Sequence, residues 1–187
     1  MKFLENLIPP EECAELSSEI YNTYLRTQAS YPSKLLGDKL VPNSFSAYAL
    51  PITEDLLLKL TPKIAYGLGK EIFPTYSYCR IYNTGAVLVP HTDREACEIS
   101  LSLNISGDPW ALWVDSNNPT AINFKPGDGI LYPGLALTHW REPFLGASCT
   151  QVFLHWVDAH GPYASWKFDR RPNIGTAMSE KTYWGKS

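Results

Sequence analysis

Apolar residues recur at helical spacing through the first third of the chain. Pro9-Pro10-Glu11-Glu12 places proline and acidic residues where a first helical turn favours them, and Cys13, Leu16, Ile20 and Tyr24 follow three and four residues apart. A second helix is predicted to open at Thr53 as N-cap, with Glu54 and Asp55 behind it. Leu57, Leu60, Ile64 and Leu68 form its apolar stripe, and Gly67 and Gly69 help to end it. Between the two, residues 30–51 read as loop, punctuated by Pro32, Gly37 and Pro42, with one strand at 44–49. From Phe73 the texture changes to short alternating runs separated by turn residues. Strands are expected at 76–82, 86–89, 98–105, 110–114, 121–124, 129–132, 136–141 and 149–157, and the period of two is strictest in Glu-Ile-Ser-Leu-Ser-Leu-Asn-Ile at 98–105.

Two helices followed by roughly eight strands with hairpin-sized connections predict an α+β fold. Its β part would be a double-sheet jelly roll or cupin-like barrel, with the N-terminal helices packed on one sheet. The chain reads as one domain over 1–187: helical support at about 9–70, a β core at about 73–158, and an irregular tail at 159–187 whose last dozen residues are expected to fray.

Composition narrows the function. The net charge is −3 and no run of Lys or Arg occurs, which argues against a phosphate-tracking surface and so against nucleic acid as a partner. The four cysteines, Cys13, Cys79, Cys97 and Cys149, are widely spaced without a C-x-x-C pair, and no membrane-length apolar run or leader is apparent. Reduced, mostly buried thiols in a cytoplasmic protein fit better than a disulfide framework.

Chemistry concentrates in Val89-Pro90-His91-Thr92-Asp93 and, well downstream, Leu137-Thr138-His139-Trp140-Arg141. A His-x-Asp pair with a distant second His is the ligand set of a 2-His-1-carboxylate facial triad, which holds non-haem Fe(II) and leaves the opposite positions open. His91 and Asp93, two apart on an extended segment, project to one side, and His139 supplies the third ligand from another strand. The bland alternative is a strand-end histidine on a polar surface. The cysteines lack the spacing to complete a zinc site.

The surrounding motifs resemble the double-stranded β-helix oxygenases that use Fe(II) and 2-oxoglutarate, most closely their prolyl-4-hydroxylase-like branch. Four matches in order carry the resemblance over residues 73–158: Tyr82-x-x-Gly85 leading to His91-x-Asp93, the polar-faced strand at 98–105, the turn Pro126-Gly127-Asp128 with its following strand, and His139-x-Arg141-x-Pro143 before the closing strand. The resemblance implies Fe(II) on His91, Asp93 and His139, with 2-oxoglutarate and O₂ as cosubstrates and ascorbate as a candidate reductant. It implies hydroxylation of a C–H bond on a prolyl or other residue of a protein or peptide, or on a free amino acid or small metabolite.

One position departs from the pattern. Where the family places a Lys or Arg for the far carboxylate of 2-oxoglutarate, about ten residues past the distal His, this chain has Cys149. Arg141, two residues from His139, shares its strand face and is the preferred replacement, because a guanidinium grips carboxylate bidentately. Arg80 is the competing anchor, and Tyr82, Ser102 and Gln151 are expected to face the same cavity. Structural alternatives are salt bridges from Arg80 to Glu98 and from Arg141 to Glu98 or Glu142. Arg94 is expected to orient Asp93 or to meet substrate. His155 reads either as a pocket residue or as a satisfied core histidine, His160 as a loop residue, and Trp110, Trp113, Trp140 and Trp156 as core or pocket walls. The rival function is a cupin-like metal-binding or non-oxygenase module. Nucleic-acid demethylation on the same barrel is disfavoured, since the closing strand lacks paired arginines. Residues 30–50 and the tail are the expected substrate-contacting loops.

Overall fold

A computed structural model describes residues 1–31, 41, 43–115 and 117–175. Ten strands and two α-helices are formed among them: β1 (Lys2–Leu4), α1 (Pro10–Ser30), β2 (Ser44–Tyr48), α2 (Pro51–Leu68), β3 (Ile72–Asn83), β4 (Leu88–His91), β5 (Ile99–Gly107), β6 (Leu112–Val114), β7 (Thr120–Ile122), β8 (Gly129–Tyr132), β9 (His139–Arg141) and β10 (Ser148–Asp158). A six-stranded sheet runs β1-β8-β5-β10-β3-β2 and a four-stranded sheet runs β4-β9-β6-β7, with every pairing antiparallel. The mixed architecture and the helices-then-strands order agree with the sequence pattern.

The alternation along the central strands separates two environments. Cys79, Ile81, Leu101, Leu103, Val152, Leu154 and Trp156 turn outward into one apolar cluster with Leu16 and Ile20 of α1 and Leu57, Leu60 and Ile64 of α2. Each such side chain, fully buried, contributes about 1.5–3 kcal/mol, which is what clamps the helices to the large sheet. The opposite face carries the polar residues of the same strands and looks toward the small sheet.

Several local expectations are corrected. The second helix starts at Pro51, not behind Thr53, and its N-cap is Leu50. Thr53 lies within the first turn, fully buried, with its hydroxyl bonded to the Leu50 carbonyl (3.0 Å) and to Ser77 Oγ (2.7 Å). Proline at the first helical position needs no N–H, so Pro51 outranks the side-chain cap. Gly69 ends the helix as predicted, in the left-handed region at φ 66°. The N-terminal Lys2–Leu4 forms an edge strand on β8 that its brief apolar pattern did not announce.

The segment after Asp158 is irregular, as expected, but anchored. Arg171 donates to both carboxylate oxygens of Glu54 (3.0 Å each) and to the Thr75 carbonyl (3.1 Å), with both side chains almost fully buried. Phe168, Asp169 and Arg170 adopt positive φ values of 55°, 55° and 60°, which costs about 1–2 kcal/mol per residue. The bonds made by the buried Asp169, described below, hold that kink. Residues 176–187, expected to fray, and the predicted loop residues 32–40 and 42 lie outside the described residues.

Candidate metal centre

Antiparallel pairing of β4 with β9 sets His91 directly opposite His139, with a register shift between Leu88 and His91. Asp93 follows on the segment leaving β4, where its N–H bonds the Gly134 carbonyl at 2.9 Å. The donor atoms of His91, Asp93 and His139 lie within 4.8 Å of one another. His91 Nε2 is 3.8 Å and His139 Nε2 is 3.6 Å from Asp93 Oδ1.

Both imidazoles are held in one orientation by their backbone neighbours. His91 Nδ1 is 2.8 Å from the Val89 carbonyl and His139 Nδ1 is 3.0 Å from the Leu137 carbonyl. A carbonyl only accepts, so each Nδ1 carries the hydrogen and each Nε2 turns its lone pair toward Asp93. Burial pushes the His139 imidazole below its usual value, which favours the neutral, ligating form. The set fits a divalent metal with mixed nitrogen and oxygen preference such as Fe(II).

A cavity of about 310 Å³ opens over this cluster. It is lined by His91, Asp93, His139, Arg80, Tyr82, Ser102 and Arg141, so seven of the eight residues expected to form the site converge on one space. The alternation of the strands explains it: Tyr76, Tyr78, Arg80 and Tyr82 share one face of β3, and His139 and Arg141 share one face of β9. Tyr82 packs edge-on against Trp110, and burial pushes its phenol up to about 12, so it stays protonated.

Arg141 is 1% exposed. Its Nη1 donates to the Trp110 carbonyl and its Nη2 to Gln151 Oε1 (3.3 Å), while the guanidinium lies over the rings of Trp110 (4.9 Å) and Phe124 (5.4 Å). No ion pair of Arg141 occurs among the described residues, and its Nε lacks a hydrogen-bond partner there, as does the buried Ser102 hydroxyl. Neither Glu98 nor Glu142 pairs with it: Glu98 Oε2 accepts the Asp158 N–H at 2.8 Å, and Glu142 Oε1 accepts the indole N–H of Trp140 at 3.0 Å. Arg80 Nη1 donates to Ser44 Oγ at 2.9 Å.

Two expectations about supporting residues are corrected. Gln151 does not line the cavity; it donates to Asn104 Oδ1 and Cys149 Sγ (3.1 Å each) and accepts from Arg141, so it holds the guanidinium from behind. Of the two roles expected of Arg94, the bond to Asp93 is not formed, while its place on the cavity wall is the one that meeting substrate requires. Arg94 binds Asp169 through two bonds of 2.9 and 2.8 Å and lies over the ring of Tyr76, because Asp169, itself bonded by the Tyr48 hydroxyl (2.7 Å), is the carboxylate within reach. Cys149, at the departing position, is a buried thiol like the other three cysteines.

Sequence reasoning missed what surrounds Asp93. Ser100 Oγ donates to Asp93 Oδ2 at 2.7 Å and meets His155 Nδ1 at 3.0 Å. The Tyr132 hydroxyl is 3.5 Å from His139 Nε2. A Cβ on Gly134 would lie 2.4 Å from Asp93 Oδ2, 2.6 Å from Ser100 Oγ and 2.3 Å from the Cys97 carbonyl, so only glycine fits. The serine stood in the polar alternation of the strand at 98–105, which was the available signal. His155 is a cavity residue, and His160 sits exposed, 3.0 Å from Glu71. Trp156 is core, and Trp113 and Trp140 stack on each other, half-buried, on the small sheet.

No family model matches the chain, and no curated protein matches it in sequence. Solved structures do. A Pseudomonas putida prolyl-4-hydroxylase is 14% identical with a TM-score of 0.60, over 84% of this chain and 91% of that one. HygX from Streptomyces hygroscopicus, with nickel, 2-oxoglutarate and hygromycin B bound, is 12% identical with a TM-score of 0.64, over 84% and 82%. The non-haem α-ketoglutarate-dependent epimerase SnoN of nogalamycin biosynthesis is 11% identical with a TM-score of 0.64, over 95% and 86%. At these identities the likeness establishes a shared fold. Among the described residues no helix is long and apolar enough to cross a membrane.

Proposed function

We propose that this chain is a single-domain Fe(II)- and 2-oxoglutarate-dependent dioxygenase. Its two sheets would form the walls of a double-stranded β-helix, and the reaction hydroxylates a C–H bond. The observation that carries the reading is one cavity that joins a His91–Asp93–His139 donor set to a buried guanidinium that has no carboxylate partner among the described residues. A buried cation left unpaired is costly, and a dicarboxylate reaching from the metal to Arg141 removes that cost. The solved structures of like fold, among them HygX with 2-oxoglutarate bound and the α-ketoglutarate-dependent epimerase SnoN, support the same reading.

In this scheme His91 Nε2, Asp93 Oδ1 and His139 Nε2 hold the iron. Bound there, iron would supply the activation of dioxygen that couples decarboxylation of 2-oxoglutarate to hydroxylation. Arg141 grips the far carboxylate of 2-oxoglutarate and Ser102 and Tyr82 donate to it, while Gln151 holds Arg141 in place. Arg80 and Arg94 are the other cations on the wall. Trp110, Phe124 and Leu112 keep water from the guanidinium, which strengthens its hold on the anion. The half-exposed Tyr78, Leu88 and Phe153 form the open side, where substrate enters. A prolyl or other residue of a peptide, or a free amino acid or small metabolite, is the substrate class.

The test is succinate release from 2-oxoglutarate with Fe(II) and ascorbate, run against a panel of peptides and amino acids, with mass spectrometry for the product that gains one oxygen. Anaerobic addition of Fe(II) and 2-oxoglutarate should also raise a weak visible charge-transfer band. Absence of that band would leave a non-oxygenase metal-binding barrel as the better reading.

A further inference from the structure

The Asp93 carboxylate is divided between two neighbourhoods. Oδ1 faces the two imidazole Nε2 atoms at 3.8 and 3.6 Å. Oδ2 is taken by the Ser100 hydroxyl at 2.7 Å, and the backbone of Gly134 closes against it so tightly that a Cβ there would stand 2.4 Å away. Ser100 is fully buried and lies directly opposite His155 in the β5–β10 pairing, which brings its Oγ to 3.0 Å from His155 Nδ1. The Cys97 carbonyl, at 3.2 Å, competes for the serine proton more weakly than the carboxylate does. With that proton committed to Oδ2, His155 Nδ1 must carry hydrogen and donate to Oγ. The result is a chain, His155 N–H to Ser100 O–H to Asp93 Oδ2, packed beneath Tyr76, whose ring is 4.6 Å from that of His155.

We infer that Ser100, oriented by His155, is a positioning residue that confines Asp93 to coordination through one oxygen and thereby fixes how many metal positions stay open. The inference rests on the metal reading proposed above. Chelation through both carboxylate oxygens would require Oδ2 to leave its hydrogen bond and swing toward the imidazoles. A facial set with a one-oxygen carboxylate leaves about three of six positions open, enough for a chelating keto acid and dioxygen. A two-oxygen carboxylate leaves about two, and dioxygen then has no place once the keto acid is bound.

The test uses the full chain loaded with manganese(II) under anaerobic conditions. Exchangeable waters on the bound ion are counted from ¹⁷O broadening of its electron paramagnetic resonance lines. The wild-type chain should hold about three waters, Ser100→Ala about two, and Ser100→Thr, which restores the hydroxyl, about three again. Ser100→Cys, near the serine in size but a weak donor, should resemble Ser100→Ala and serves if the alanine variant does not fold. Manganese affinity should be kept or tightened in Ser100→Ala, whereas a merely structural serine would weaken it and leave the water count per bound ion unchanged. Equal counts in Ser100→Ala and wild type, with metal bound normally, would overturn the positioning role alone. Binding of a second manganese at the neighbouring Asp93, Cys97 and His155 donors, which also lie within 4.8 Å of one another, would overturn it as well, since Oδ2 would then be a ligand. Failure of the wild-type chain to bind manganese at all would overturn both this inference and the metal reading.

Discussion

Replacing Arg141 by methionine separates two opposite energies at one residue. In the ligand-free protein the guanidinium is buried without a carboxylate among the described residues, held by bonds to the Trp110 carbonyl and to Gln151. Those two charge-assisted bonds contribute about 1.5–3 kcal/mol each, against a desolvation cost of several kcal/mol for the charge. Methionine fills similar volume, so the ligand-free variant should melt at or above the wild-type temperature. The cosubstrate tells the other half. An exposed ion pair is worth at most about 1 kcal/mol, but at 1% exposure the buried figure applies, about 3–5 kcal/mol for removing one partner. At about 1.4 kcal/mol per tenfold, 2-oxoglutarate binding should weaken roughly 100- to 5,000-fold. Anaerobic titration of the Fe(II) protein with 2-oxoglutarate, read at the visible charge-transfer band, measures the loss, and manganese binding checks that the triad survives. An unchanged 2-oxoglutarate requirement would move the anchor to Arg80, and a large fall in melting temperature beside it would make Arg141 a structural residue.

Further perturbations test the supporting geometry. Gly134→Ala places a methyl against the Cys97 carbonyl, Asp93 Oδ2 and Ser100 Oγ, all closer than 3.0 Å; it should cost about 1–3 kcal/mol and weaken metal binding at least tenfold, and calorimetry showing wild-type affinity would refute the close packing. Burial holds the His155 imidazole down at about 4, below the unfolded value near 6.5. The fold therefore prefers the neutral ring, and that stability is present above pH 6.5 and lost as pH falls through 4. The unfolding free energy of the metal-free protein, from denaturant titrations, should fall by up to about 3 kcal/mol across that window, and His155→Phe should flatten the slope. Arg171→Met strands the buried Glu54 carboxylate and should cost about 3–5 kcal/mol, with residues 159–175 becoming the first site of proteolysis; an unchanged digestion pattern would contradict the anchoring role.

Much of this protein is written in local pattern. Period-3.6 apolar stripes fixed both helices, and period-two alternation put Tyr82, Arg80, Ser102, His139 and Arg141 on the inward faces of their strands, because successive side chains in a strand must point oppositely. The His-x-Asp spacing pointed to two of the candidate metal-holding residues, since two residues apart on extended backbone share a side. What alternation cannot supply is the identity of the strand across the way. Only the β4–β9 register placed His91 opposite His139, and only the β5–β10 register placed Ser100 opposite His155. The same limit explains where side chains found partners other than those expected. Arg94 sits next to Asp93 in the chain, yet a carboxylate from Asp169, seventy-five residues away, reaches its guanidinium and takes it. Gln151 belongs to the inward face but lies behind Arg141, and which of two inward residues reaches the cavity is settled by packing depth. Sequence determined which residues face the cavity, through backbone geometry; tertiary structure alone decided which of them hold one another, because those partners are brought together by pairings between distant strands.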